Sequence, residues 1–160
     1  RDNAGGEYHN SIFVNWGRGV DVEILNGADH SFNQLQNNDN LNLENNHFYN
    51  VGDQTVAGVF NANDPNAGET DSVPTADVAA ADAVIEAEFG QTNTVDVDPG
   101  VSMDYNSNTA SVQPTAGAAL TGAQQPSVQW FDQVNYKGAF DGTTNWLAGW
   151  TQLDAGGHIQ

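Results

Sequence analysis

The chain has 160 residues, with 3 Lys plus Arg against 21 Asp plus Glu and a formal net charge of -18. A chain of this length holds one domain with its own core. So acidic a surface excludes nucleic acid and anionic membranes as partners, because phosphate binding needs Lys and Arg to displace counterions. The absence of cysteine removes disulfides and thiolate metal sites, and no run of about 20 apolar residues is present to span a bilayer.

Self-repulsion of such a charge is relieved by salt or bound cations, so saline, halophilic-like surroundings are expected. No signal peptide is recognisable. The chain opens at Arg1, and Asp2-Asn3-Ala4-Gly5-Gly6 reads like the middle of a loop, which points to a processed product or a fragment of a longer protein.

In the first segment, Ile12, Val14 and Trp16 alternate with Phe13 and Asn15, and Val20, Val22 and Ile24 alternate with Asp21 and Glu23. A period of two predicts half-buried strands. Gly17 and Gly19 supply the turn between them, and Asn26 to Asp29 and Asn37 to Asn40 are further turn signals. Leu41, Leu43, Phe48, Tyr49 and Val51 return the chain to strand, and Thr55 to Phe60 reads as one more. Asn45-Asn46 is expected to form a corner, since Asn tolerates left-handed backbone angles and stacked Asn side chains can bond in ladders.

Residues 61 to 74 are polar and read as a loop. Thr75 to Phe89 is the one clear helix, with Thr75 or Asp77 as N-cap and Gly90 as its stop. Thr94 to Met103 resembles a strand broken at Asp98-Pro99-Gly100, and Ser107 to Pro126 is expected to wrap the surface with little regular structure. The last segment concentrates Trp130, Phe131, Tyr136, Phe140, Trp146 and Trp150. Rings of this size cost roughly 25 cal/mol per Å² of apolar surface left in water, so most are expected to be buried in a closing cap. The chain divides into 1–60, terminal coils; 61–92, acidic loop plus helix; and 93–160, connection and aromatic cap, all within one structural domain.

Short strands separated by Asn and Gly turns suit a parallel β-solenoid, and an antiparallel sandwich uses the same parts. Arg1 to Gly6 followed by Tyr8-His9-Asn10-Ser11-Ile12-Phe13, then Leu43-Glu44-Asn45-Asn46-His47-Phe48-Tyr49, resembles the C-terminal coils of large secreted bacterial β-helix proteins. Phe131 to Phe140 and Trp146-Leu147-Ala148-Gly149-Trp150-Thr151 are similar to the closing motif of that family. The resemblance covers nearly the whole chain and implies a right-handed parallel β-helix, mainly β, with one short helix and an aromatic C-terminal cap. It also implies an extracellular or outer-surface protein, often type IX secretion cargo. It brings no catalytic residue with it.

Chemistry is sparse. Asp21 and Glu23 alternate onto one strand face and form a candidate carboxylate pair for glycosidase or lyase work, which needs two carboxyl groups within about 5 to 10 Å. Arg18, between two glycines, is the candidate base, with Lys137 the other internal cation. Asp64, Asn66, Glu69 and Asp71 space oxygen ligands suited to Ca²⁺ across a loop, and Asp96, Asp98 and Asp104 form a second such set. In a chain with 21 acids, solvated faces and acidic loops account for both patterns as well. His9, His30, His47 and His158 lack zinc-binding spacing, and Ser11 and Ser31 lack a nucleophile-elbow context. Trp146 and Trp150 are candidate sugar-stacking residues. These features point to a structural or adhesive extracellular protein that stacks on another chain, either the remainder of its parent or further copies. A polysaccharide-active enzyme and a carbohydrate-binding module are the alternatives.

Overall fold

The computed structural model describes residues 3–27, 29–36, 40–104, 106–115, 117, 121–124 and 132–159. The turn expected at Asn37 to Asp39 and the rings of Trp130 and Phe131 lie outside these residues. Two passes of the chain run side by side. Strands β1 (Gly6–His9), β2 (Ile12–Val14) and β3 (Val20–Glu23) are matched in parallel by β4 (Leu41–Glu44), β5 (His47–Tyr49) and β6 (Phe60–Asn63). Gly6 lies opposite Leu41, Ile12 opposite His47 and Val20 opposite Phe60. A two-residue strand, β7 (Thr94–Val95), extends the β2–β5 sheet. Strands β8 (Ser102–Asp104) and β9 (Thr109–Ser111) form an antiparallel hairpin. Between the strands lie helices α1 (Ser31–Gln36), α2 (Val56–Val59), α3 (Thr75–Thr92) and α4 (Gln152–Ala155).

The parallel register brings aromatic rings of the two passes together. Phe13 stacks on Phe48 at 4.8 Å, Phe48 meets Phe60 edge-on at 5.1 Å, and Phe60 meets Phe89 of α3 at 5.6 Å. This chain of rings runs through a core completed by Val22, Leu43, Val51, Val59 and Ile85. At the corners, Asn10, Asn15, Asn45 and Asn50 all have positive φ, a conformation Asn reaches because its short side chain bonds locally. The corners are also tied to each other: Asn45 Nδ2 donates to Asn10 Oδ1 and Asn50 Nδ2 to Asn15 Oδ1, both at 2.7 Å. Gly19 has no alternative residue, since a Cβ there would lie 2.0 Å from Val59 O.

The expected right-handed parallel β-helix is corrected by these elements. The sheets among the described residues are two or three strands wide, three parallel and one antiparallel, and none closes or continues into a solenoid. One reason is that an apolar segment expected as strand is helical. Phe32 and Leu35 belong to α1, and Val56 to Val59, expected as strand, form α2, capped by Thr55 through Gly58 N. Helix α3 then packs along β6 with Ala81, Ile85 and Phe89 on its buried face, and after it only the two-residue β7 rejoins a sheet.

Helix α3 begins where expected but outlasts its predicted stop. Gly90 lies within it, because its bare α-carbon lets α2 approach: a Cβ there would be 2.7 Å from Val56 Cγ1. The helix ends instead at Asn93, whose Nδ2 donates to Phe89 O and Leu43 O. At the other end Pro74, not Thr75 or Asp77, takes the cap position, without a side-chain bond.

Asn46 is fully buried, with its amide bonded to Ser11 N, Tyr8 O and Asn93 Oδ1. Replacing it with Ala leaves the Ser11 N–H and the Tyr8 carbonyl without their partner. We expect Asn46→Ala to lower unfolding free energy by about 3 kcal/mol in urea titrations. A loss below about 1 kcal/mol contradicts the role assigned to this side chain.

Candidate functional site

The described tryptophans of the last segment are not buried as expected. Trp146 is 50% exposed and Trp150 69% exposed, and Trp16 is exposed elsewhere on the molecule. Phe140 stacks with Trp146 at 5.7 Å and 17°, and Trp146 with Trp150 at 6.2 Å and 24°, so three rings form a column. The polar edge of each indole is already satisfied by the chain: Trp146 Nε1 donates to Ala139 O at 2.9 Å and Trp150 Nε1 to Trp146 O at 2.6 Å. Trp146 lies between the other two rings, so the open indole face of the column is that of Trp150.

The turn that carries them is held at several points. Gly149, at positive φ, donates its N–H to Asp154 Oδ2 at 2.7 Å, and Thr151 Oγ1 donates to Leu147 O at 2.9 Å while also capping α4 through Asp154 N. Ahead of the column, Asp141 Oδ1 accepts from the N–H groups of Thr144 and Thr143. These backbone donors, Thr144 first, bring its carboxyl down to about 2. Beside the turn, Leu147 and Leu153 line an apolar groove of about 420 Å³ with Met103, Ala110, Val112 and Ile159.

The carboxylate pair expected on β3 does not form a shared site. Glu23 is buried at 1% exposure, whereas Asp21 is exposed and bonded to Arg18 Nη1 at 3.3 Å. Asp21 lines a cavity of about 290 Å³ in which Glu23 takes no part. Arg18, the candidate base, extends into solvent.

The Ca²⁺ loop also has other work. Asp64 accepts from Asn66 N through Oδ1 and from Val73 N through Oδ2, and Asn66 Nδ2 donates to Asp71 Oδ2. Glu69 sits in the same loop as part of a turn from Asn66. Asp98 and Asp104 likewise accept from Gly100 N and Asn106 N. Among the described residues no group of three or more His, Asp or Glu side chains is placed to hold a metal ion. The histidines are dispersed: His9 lies between Glu7 and Glu44, His30 stacks on Phe32, and His158 bonds Asn108 O.

One constellation was missed in the sequence. His47 is fully buried and Lys137 is 3% exposed. Burial, the dominant cause in each, lowers the pKa of both, and the Lys137 charge lowers that of His47 further. A signal existed: His47-Phe48-Tyr49-Asn50 repeats Ile12-Phe13-Val14-Asn15, with a histidine where the first copy has isoleucine.

Compared with known proteins, the chain matches no family model, and no curated protein or solved structure matches it. No helix among the described residues is long and apolar enough to cross a membrane. The exposed ring column thus stands on its own geometry as the candidate site.

Asp141 supplies a pH check on the turn ahead of the column. Its folded carboxyl, near 2, lies below the unfolded value of 3.8. The ordering it contributes is therefore present above the unfolded value and lost as pH falls through the folded one. We expect the Asp141 carboxyl resonance to titrate near 2, with the Thr143 and Thr144 amide shifts following it; a midpoint at the unfolded value contradicts the turn geometry.

Proposed function

We propose that this chain is an adhesive binding protein that holds neutral polysaccharide outside the cell, with Trp150 and Trp146 as the stacking surface. The observation that carries the reading is that two indoles whose N–H groups already bond backbone carbonyls stand half or more exposed in a turn pinned by Asp154 and Thr151. Exposed indole is costly in water, and a ring face pre-set in one orientation loses little side-chain freedom on binding. The apolar C–H face of a pyranose ring suits such a surface. The charge of -18 disfavours polyanionic polymers and leaves neutral ones unaffected.

A second reading rests on the strand edges. β1, β2 and β3 each occupy the outer position of a sheet, all on the side of the first chain pass, and the cavity lined by Tyr8, Phe13, Val20, Val22, Leu41 and Leu43 opens there. Unpaired edges of this kind accept strands from another polypeptide. This supports assembly with a second chain, whether further parts of a longer parent or another copy. It is compatible with the adhesive reading, since the tryptophan turn lies in a different part of the sequence.

Neutral oligosaccharides are expected to quench tryptophan emission, with Trp150→Ala weakening binding about tenfold or more, which is ~1.4 kcal/mol. Trp16→Ala, which removes no ring of the column, is expected to leave affinity unchanged, as is added salt. The absence of quenching across a panel of neutral glucans, mannans, xylans and galactans sinks the carbohydrate reading. For the second reading, size-exclusion chromatography with mass measurement is expected to give species above the monomer as concentration rises, and a monomer throughout rejects it.

A further inference from the structure

We propose that the cavity of about 290 Å³ on the side of the first chain pass binds a small organic amine. Its apolar body lies among Tyr8, Phe13, Val20 and Leu41, and its ammonium group meets the Ser31 hydroxyl and the charge of Asp21. The cavity shares no residue with the ring column, so this inference goes beyond the carbohydrate reading and does not rest on it.

The walls follow from the pairing of the two passes. Tyr8 lies opposite Leu43 and Phe13 opposite Phe48, and Phe13 is held by stacking on Phe48 at 4.8 Å. Of the lining side chains, Val22 and Leu43 are buried, Phe13, Val20 and Leu41 are half-buried and Tyr8 is 53% exposed, so the cavity runs from the core out to solvent. Ala4 and Gly5 line it with almost no side chain, and Gly5 has no room for one, since a Cβ there would lie 2.5 Å from Asn40 O. A space of this size suits a small ligand better than a polymer.

Its polarity is concentrated in few groups. Besides the Tyr8 hydroxyl, the polar side chains among the described lining residues are those of Ser31 and Asp21. Ser31 is 4% exposed, and its Oγ is buried without a hydrogen-bond partner. Buried polar groups are almost always paired, so this hydroxyl marks where a polar group of the ligand arrives. Its place is set by the start of α1, where the flanking rings of His30 and Phe32 stack at 6.2 Å. Asp21 Oδ2 accepts from Arg18 Nη1 at 3.3 Å, but Arg18 reaches into solvent and does not line the cavity. So exposed a pair is weak and leaves the charge of Asp21 available to a ligand.

These groups select the ligand's chemistry. A carboxylate can only accept, and an unpaired hydroxyl can accept as well, so the head group must donate. The net charge of -18 concentrates cations near the surface and repels anions. An ammonium on an apolar body supplies the donor and the charge together, and the rings of Tyr8 and Phe13 favour a cation over their faces. A neutral alcohol satisfies Ser31 without answering Asp21, and a carboxylic acid is repelled by it. A strand added along β1 to β3 would cover the same opening, so it is the monomer that takes the amine.

The test titrates phenethylamine, phenethyl alcohol and phenylacetate into the monomer fraction of the intact chain, following the methyl resonances of Val20, Val22, Leu41 and Leu43, with calorimetry for affinity. Saturable shifts at these methyls are expected with the amine, about tenfold weaker binding with the alcohol, and none with the acid. Added salt is expected to weaken the amine alone. Asp21→Asn is expected to bring the amine to the affinity of the alcohol, and Ser31→Ala to weaken both. Because Ser31→Ala removes an unpaired hydroxyl, it is expected to keep or raise stability against urea, which a structural role for that hydroxyl would not allow. No saturable shift with the amine, equal affinity for amine and alcohol, or unchanged amine affinity in Ser31→Ala overturns the proposal. Quenching by neutral oligosaccharide is expected to be the same in both variants, so the carbohydrate reading is judged separately.

Discussion

The buried amide of Asn46 donates to Tyr8 O and Asn93 Oδ1 and accepts from Ser11 N, so a single side chain joins three separate stretches of backbone. One is the corner between β1 and β2, one its own corner between β4 and β5, and one the junction of α3 with β7. Asn93 answers with its own amide, taking Asn46 N and returning bonds to Leu43 O and Phe89 O. Strands of two to four residues cannot hold register by ladder bonds alone, and a buried network satisfied on all sides specifies one alignment. The ring contacts from Phe13 to Phe89 then follow, because that alignment sets Phe13 over Phe48.

The abundant acids serve local turns more than chemistry. Asp53, Asp64, Asp82, Asp98, Asp104 and Asp141 each accept a backbone N–H, from Thr55, Asn66, Ala62, Gly100, Asn106 and Thr143. A carboxylate used in this way keeps a loop folded without a metal and has fewer lone pairs left for one. The two internal cations contrast with each other: Arg18 reaches into solvent toward Asp21, and Lys137 is buried, with no carboxylate within ion-pair reach among the described residues.

Much of the local structure was legible. The alternation of Ile12, Val14, Val20, Val22, Leu41 and Leu43 marked real strands, Asn45-Asn46 marked a real corner, and the Ala-rich run from Thr75 marked α3. Where the reading failed, a competing neighbour decided the outcome. Gly90 looked like a helix stop and is a contact point for Val56, Val56 to Val59 looked like strand and is helix, and Trp146 and Trp150 looked like core and stack in the open. Asp21 and Glu23 share a strand by alternation but differ in burial, because residues 22 to 24 are all buried where the chain leaves the sheet edge.

The amino-acid order by itself determined the short strands, the positive-φ Asn corners, helix α3 and the anionic character of the chain, since periodicity, turn preference and charge are local or additive properties. Only the tertiary structure decided that the sheets stay two or three strands wide among the described residues, that Trp146 and Trp150 remain exposed, and that His47 and Lys137 are both buried. These outcomes depend on which distant parts of the chain pack together, and no local pattern encodes that.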